Sequence, residues 1–129
     1  MRHEFEYEPI GSKYYPIVPL LVGIGGAWAP ISAMVDSGAT LSILNAGIAR
    51  ALGIKVDKGQ KIELSGIGGK VSGYLHRLRL NINGSEFEAE VAFTDELSVP
   101  MNLLGRKDVF EKFSITFNDK TKKVVLEGI

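Results

Sequence analysis

The chain has no cysteine in 129 residues, which removes disulfides, iron–sulfur clusters, thiolate zinc sites and a cysteine nucleophile together. It has no excess of either charge: 15 Lys+Arg stand against 15 Asp+Glu, a formal net charge of +0. Nucleic acid and anionic membrane surfaces both select for a basic excess, so neither is expected as a partner. Histidine is scarce. His3 and His76 are the only two, with no carboxylate spaced from either to form a helical metal motif, and both are expected as strand or surface residues rather than metal ligands. No apolar run approaches the roughly 20 residues needed to span a bilayer. The opening residues, Met1 to Glu6, mix charges and lack the apolar stretch of a secretion signal. A soluble, cytoplasmic protein is the expectation.

What is present is the composition of one globular domain, 45% hydrophobic and 23% charged, long enough to enclose its own core. Fifteen glycines and five prolines punctuate many short Val/Ile/Leu runs, the pattern of an all-β chain. Residues 17–24 and 27–35 read as a hairpin around Gly25-Gly26, and residues 61–66 and 70–80 as a longer one with a glycine-rich tip, Gly66-Ile67-Gly68-Gly69. Asn83-Gly84, between residues 78–82 and 87–93, is the strongest hairpin signal. A fourth hairpin is expected around Asn118-Asp119-Lys120-Thr121, with Phe113, Ile115 and Phe117 on one face of its first strand. Two short helices are predicted: residues 46–52, with Asn45 as N-cap and Gly53 as the stop, and residues 106–112. Residues 1–15 read as a loosely held N-terminal arm and 16–129 as the domain, with Trp28 and Tyr14-Tyr15 packing under the arm.

The segment that could carry chemistry is Ala33-Met34-Val35-Asp36-Ser37-Gly38-Ala39-Thr40. An apolar strand runs directly into an aspartate, then a hydroxyl residue, then glycine. A carboxylate at the end of a buried strand is costly unless hydrogen bonds or a shared proton compensate it. Ser37 can supply a hydroxyl hydrogen bond, and Gly38 lets a backbone or substrate approach closely. The same tripeptide also suits a plain turn after a strand, and the residues alone leave both readings open.

The stretch from Val35 to Thr40 resembles the strand-and-loop of retropepsin-like aspartic proteases, whose signature is Asp-Thr/Ser-Gly-Ala after an apolar strand. A second hallmark of that family, two apolar residues before a glycine and a short helix, is matched by Leu103-Leu104-Gly105 and the residues up to Phe110. The strands around Phe113–Phe117 and Val124-Val125-Leu126 are similar to the family's closing strands, and the glycine-rich tip lies where the family places its substrate-covering flap. The helix after the Asp36 loop is more similar to the cellular branch, the DNA-damage-inducible protein-like retropepsins, than to compact viral enzymes. The resemblance covers roughly residues 16–127. It implies an all-β, single-lobe acid-protease closed barrel with one or two short helices, assembled as a two-fold homodimer.

Aspartic protease chemistry needs two carboxylates sharing one proton around one water. This chain has a single Asp-Ser/Thr-Gly; Val56-Asp57-Lys58-Gly59 has lysine where the hydroxyl belongs and reads as a surface turn. Asp95-Glu96 on a strand would face opposite sides and could not pair. The resemblance therefore implies a homodimer in which each subunit donates Asp36, with a peptide or protein as substrate and no metal or organic cofactor. It further implies that Ser37 and Gly38 support the dyad, that Gly38, Ala39 and Thr40 meet the substrate, that Ile67, Gly68 and Gly69 close over it, and that Leu103, Leu104 and Gly105 pack behind Asp36. Thr40 departs from the acidic residue common in viral enzymes at that place. The rival from another class is a non-catalytic peptide-binding or dimerisation module on the same fold. The glycine clusters at Gly66–Gly69 and Gly23–Gly26 lack the spacing and following helix of nucleotide-binding loops and read as hairpin tips.

Overall fold

A computed structural model describes residues 1–66, 69–97 and 101–128. Its strands are β1 (Arg2–Glu6), β2 (Glu8–Ile10), β3 (Lys13–Tyr15), β4 (Ile17–Ile24), β5 (Ala27–Val35), β6 (Ser42–Asn45), β7 (Gln60–Gly66), β8 (Gly69–Ile82), β9 (Ser85–Thr94), β10 (Asn102–Leu104), β11 (Phe113–Asn118) and β12 (Lys123–Gly128). Among the described residues they are interrupted by a helix, α1 (Ala46–Ala51), a 3₁₀ turn, Val56–Lys58, and a kinked helical turn at Arg106–Phe110. No helix among the described residues is long and apolar enough to cross a membrane.

Seven strands form one sheet in the order β4-β5-β10-β6-β9-β8-β7, and β4 also pairs with β8 through Leu21↔Asn81, Val22↔Leu80 and Gly23↔Arg79. That pairing closes six of the strands into a barrel and leaves β7 as its outer edge. The interior follows from side-chain alternation. Val18, Leu20 and Val22 of β4 face Leu78, Leu80 and Ile82 of β8 and Phe87, Ala89 and Val91 of β9 within one core cluster. Glu86 and Glu88, on the opposite face of β9, form exposed cross-strand ion pairs with Arg79 and Arg77.

The hairpins expected around Gly25-Gly26 and Asn83-Gly84 are present, as are the long one joining β7 to β8 and the one joining β11 to β12. Asn83 and Gly84 have φ of 50 and 98°, the left-handed pair a tight two-residue hairpin turn demands. Asn45 caps α1 by accepting from the Gly47 amide at 2.8 Å. The second predicted helix is different: residues 106–110 form a kinked turn in which Lys107 is extended and Asp108 has φ 66°. Asp108 Oδ2 holds that conformation by accepting from the Glu90 amide of β9 at 2.8 Å.

The loosely held arm expected at the N-terminus is instead partly built into the domain. β1 pairs antiparallel with β12, forming a three-stranded sheet β1-β12-β11, because His3, Phe5 and Tyr7 alternate toward the core. Buried His3 places Nε2 2.8 Å from the Ser85 hydroxyl, and the Phe113 ring meets it edge-on. Trp28 does not pack under the arm either; it lies beneath the Arg79 guanidinium, 4.8 Å from the ring centre, in space left by Gly23. β2 and β3 form a small separate hairpin with Ile10 and Tyr14 exposed.

Candidate active site

Asp36 stands where β5 stops. Leu103 and Leu104 of β10 run parallel to Met34 and Val35 of β5, and on the other side Leu103 pairs with Ile43 of β6. β10 is thus threaded between two strands that residues 36–41 connect. The Asp36 amide donates to the Leu104 carbonyl at 2.9 Å, continuing the parallel ladder one residue past the strand, and the Val35 amide donates to the Pro16 carbonyl at 2.9 Å. The aspartate backbone is therefore fixed by two neighbouring segments before its side chain is considered.

The side chain is half-buried, and its Oδ1 accepts from the Gly38 amide at 2.9 Å. The Ala39 amide donates to the Asp36 carbonyl at 3.2 Å, so Asp36 to Ala39 form a compact turn with the carboxylate over it. A β-carbon on Gly38 would lie 3.2 Å from Asp36 Oδ1, tighter than an ordinary contact. Beyond the turn, the Ala39 and Thr40 carbonyls accept from the amides of Arg106 and Lys107 at 2.8 and 2.9 Å. Gly105 lies so close beneath that an added β-carbon would stand 2.5 Å from the Leu41 carbonyl carbon and 2.8 Å from the Ala39 oxygen. Its amide donates to the buried Ser42 hydroxyl at 2.9 Å. Loop 36–41 therefore rests on residues 104–107 along most of its length, the kind of rigid support a reactive side chain needs.

Asp36 and Ser37 open into a cleft of about 410 Å³ with Tyr7, Tyr14, Pro16, Met34, Val35, Phe117 and Asp119. Ser37 and Gly38 are exposed beside it, and Ala39 is half-buried. Thr40 lines a neighbouring cleft with Arg106, Lys107 and Asp108 instead. Leu104 is fully buried under the loop, Leu103 half-buried between β5 and β6. Of the glycine-rich tip, Ile67 and Gly68 lie outside the described residues, and Gly69 begins β8 opposite Gly66. Asp57 sits exposed in the 3₁₀ turn.

Three residues of this region are silent in the sequence. Asp119 brings a second carboxylate to the cleft, where its Oδ1 accepts the Tyr7 hydroxyl at 2.8 Å. Burial of the phenol, reinforced by that bond and by the carboxylate charge, pushes the Tyr7 pKa up to about 12. Asn102 ties the threaded strand on both sides, donating to the Ser32 carbonyl at 3.0 Å and accepting from the Asn45 amide at 2.8 Å. No local pattern marks these roles, since each partner lies at least 57 positions away.

Among solved structures, a retropepsin-like aspartic protease from Rickettsia conorii shares the fold at a TM-score of 0.74, with 19% identity and 98% of each chain covered. The EIAV protease, solved in complex with an inhibitor, matches at a TM-score of 0.57 and 20% identity over 77% of this chain and 88% of its own. No curated protein sequence matches. The model of the aspartyl protease family aligns with residues 20–107, from the first barrel strand through the Asp36 loop to the segment beneath it. Its single-lobe closed barrel is the retropepsin-like fold, and the chain belongs to the aspartyl protease family.

Proposed function

We propose that the chain is an aspartic endopeptidase that works as a homodimer, each protomer contributing Asp36 to a shared dyad. The observation that carries this reading is the Asp36 turn: one carboxylate, clamped by β10 and by the Gly38 amide, at the mouth of an open cleft. A single carboxylate cannot both take a proton from water and give one to the substrate. The other carboxylate of the cleft, Asp119, is engaged by Tyr7. A second copy of the same rigid loop, brought up across a two-fold axis, supplies the missing group with matching geometry.

In such a pair the like charges cannot both ionise, so one Asp36 is a carboxylate and the other a carboxylic acid. The carboxylate takes a proton from the water as its oxygen attacks the peptide carbonyl carbon, and the acid gives its proton to the carbonyl oxygen. The Asp36 that took the water's proton then gives it to the amide nitrogen while the other Asp36 takes a hydroxyl proton from the diol, and the C–N bond breaks to leave a carboxylic acid and an amine. In the dimer Ser37, which is exposed next to Asp36, holds the two loops together; its exposure supports this role. Gly38 and Ala39 form the strip along which an extended substrate backbone lies, running on toward Thr40 and the neighbouring cleft, with the β7–β8 hairpin as its cover.

The test is cleavage of a mixed peptide library followed by mass spectrometry across roughly pH 4 to 7, where a carboxyl dyad shares a proton. Asp36→Asn keeps an oxygen for the Gly38 amide but not the charge, and should lose at least about a hundredfold in rate. Light scattering on both proteins should give a dimer of the 14.0 kDa chain. A dimer that cleaves nothing would leave the non-catalytic peptide-binding module in possession; an active monomer would refute the shared dyad.

A further inference from the structure

Asp95 and Glu96, the adjacent carboxylates that cannot form a dyad, lie just past the end of β9, and with Thr94 they hold two other parts of the molecule in place. The β7–β8 hairpin keeps its register from Gln60↔Leu75 out to Gly66↔Gly69, whereas β8 pairs with β9 only as far as Tyr74↔Phe93. Past Tyr74 the hairpin is therefore a two-stranded ribbon, which is marginal in water without a third strand. At this point the Ser72 amide donates to Glu96 Oε2 at 2.7 Å, and the Ser72 carbonyl accepts from Thr94 Oγ1 at 2.7 Å. Thr94 Oγ1 in turn accepts from the Glu96 amide at 3.0 Å, which leaves its own proton directed at Ser72. Two side chains thus provide the acceptor and the donor that a further residue of β9 backbone would have offered. They add one rung to the ladder after the strand itself has turned away.

The segment that supplies this rung is itself held. Asp95 is gripped by both terminal nitrogens of Arg50, at 2.9 and 2.6 Å, and Arg50 belongs to α1, which follows β6 and the Asp36 loop. The fork-shaped contact fixes direction as well as distance.

We propose that Thr94 and Glu96 are positioning residues that fix the projecting part of the β7–β8 hairpin to the barrel, with the Arg50–Asp95 pair setting the segment that carries them. The proposal rests on the reading of this hairpin as the cover of the Asp36 site, and it assigns that cover a hinge point at Ser72.

Amide exchange at Ser72, followed by NMR, tests it in the wild type, Glu96→Ala and Glu96→Gln. Losing a hydrogen bond to a charged acceptor should speed Ser72 exchange about tenfold in Glu96→Ala. Glu96→Gln keeps an acceptor oxygen and should keep the exchange slow. The buried β9 amides around Val91 should not change in either variant. Equal Ser72 exchange in wild type and Glu96→Ala overturns the anchor, as does a rise that extends equally to Val91. With a cleaved peptide in hand, Glu96→Ala should raise KM at least about threefold, the effect of a cover held less often in place, and Glu96→Gln should restore it. Unchanged KM and kcat in Glu96→Ala overturn the catalytic part. A wild type that cleaves nothing refutes the protease reading instead, and Ser72 exchange still decides the anchor.

Discussion

The Gly105 amide donates to the buried hydroxyl of Ser42 over 2.9 Å, joining residues 63 positions apart at the strand whose carbonyl holds Asp36. Backbone amides in interiors are nearly always paired, and here the partner is a side chain. Ser42→Ala would strand that amide. A loss of about 1–3 kcal/mol is expected, the cost of a buried donor left unsatisfied. Urea unfolding monitored by Trp28 fluorescence would show it as a lower midpoint with an unchanged slope.

Gly105→Ala should be more damaging than its single added methyl suggests. The new carbon would stand 2.5 Å from the backbone of Leu41, and backbone cannot swing aside as a flexible side chain can. Overpacking of this kind costs about 1–3 kcal/mol or more, and relief requires lifting loop 36–41 off β10. Peptidase activity should therefore fall by more than the folded fraction does. Equal losses in a titration of activity against circular dichroism would mean that the loop keeps its shape.

The two aspartates of the cleft should separate cleanly in activity. Asp119→Asn retains an acceptor for Tyr7 and should cleave peptides within about twofold of the wild type, the range of ordinary surface substitutions. Asp36→Asn should not. If Asp119→Asn abolished cleavage while leaving the dimer intact, Asp119 would belong to the catalytic machinery and the symmetric dyad would be wrong.

Tyr7 gives a pH signature independent of activity. Its pKa is raised from 10.0 to about 12, chiefly by burial and secondarily by the Asp119 bond and charge. The neutral phenol is thus favoured in the folded chain: its stabilising contribution is full below about pH 10 and is lost as pH rises toward 12. In an alkaline absorbance titration one of the four tyrosines should ionise late or only on unfolding. Tyr7→Phe should remove that late step, and Asp119→Asn should move it earlier without abolishing it, since burial remains.

Features legible in the sequence are those whose cause is local. Asn83-Gly84 forces a tight turn through its own backbone preferences, Asn45 caps the residues right after it, and Asp36 ends an apolar strand whose last residues, Ala33 and Val35, turn into the core. The Asp36–Gly38 turn is likewise closed by atoms two residues apart. Residues 106–112 read as a helix because their composition permits one. The kinked turn is chosen instead by Asp108 reaching the Glu90 amide, 18 positions away. Asp95 and Glu96 show the same limit: spacing excludes them as a dyad, but nothing local assigns Arg50 to one and Ser72 to the other.

The sequence by itself determined an all-β chain, its principal hairpins and a lone aspartate in a tight turn, because short-range backbone geometry and period-two burial depend only on neighbours. Tertiary structure decided that β10 threads between β5 and β6, that β1 joins β12, and that Tyr7 meets Asp119 at the mouth of the Asp36 cleft. Alternation says which face of a strand is buried and not what it is buried against. That choice is made when the barrel closes and every inward face must find a partner at once.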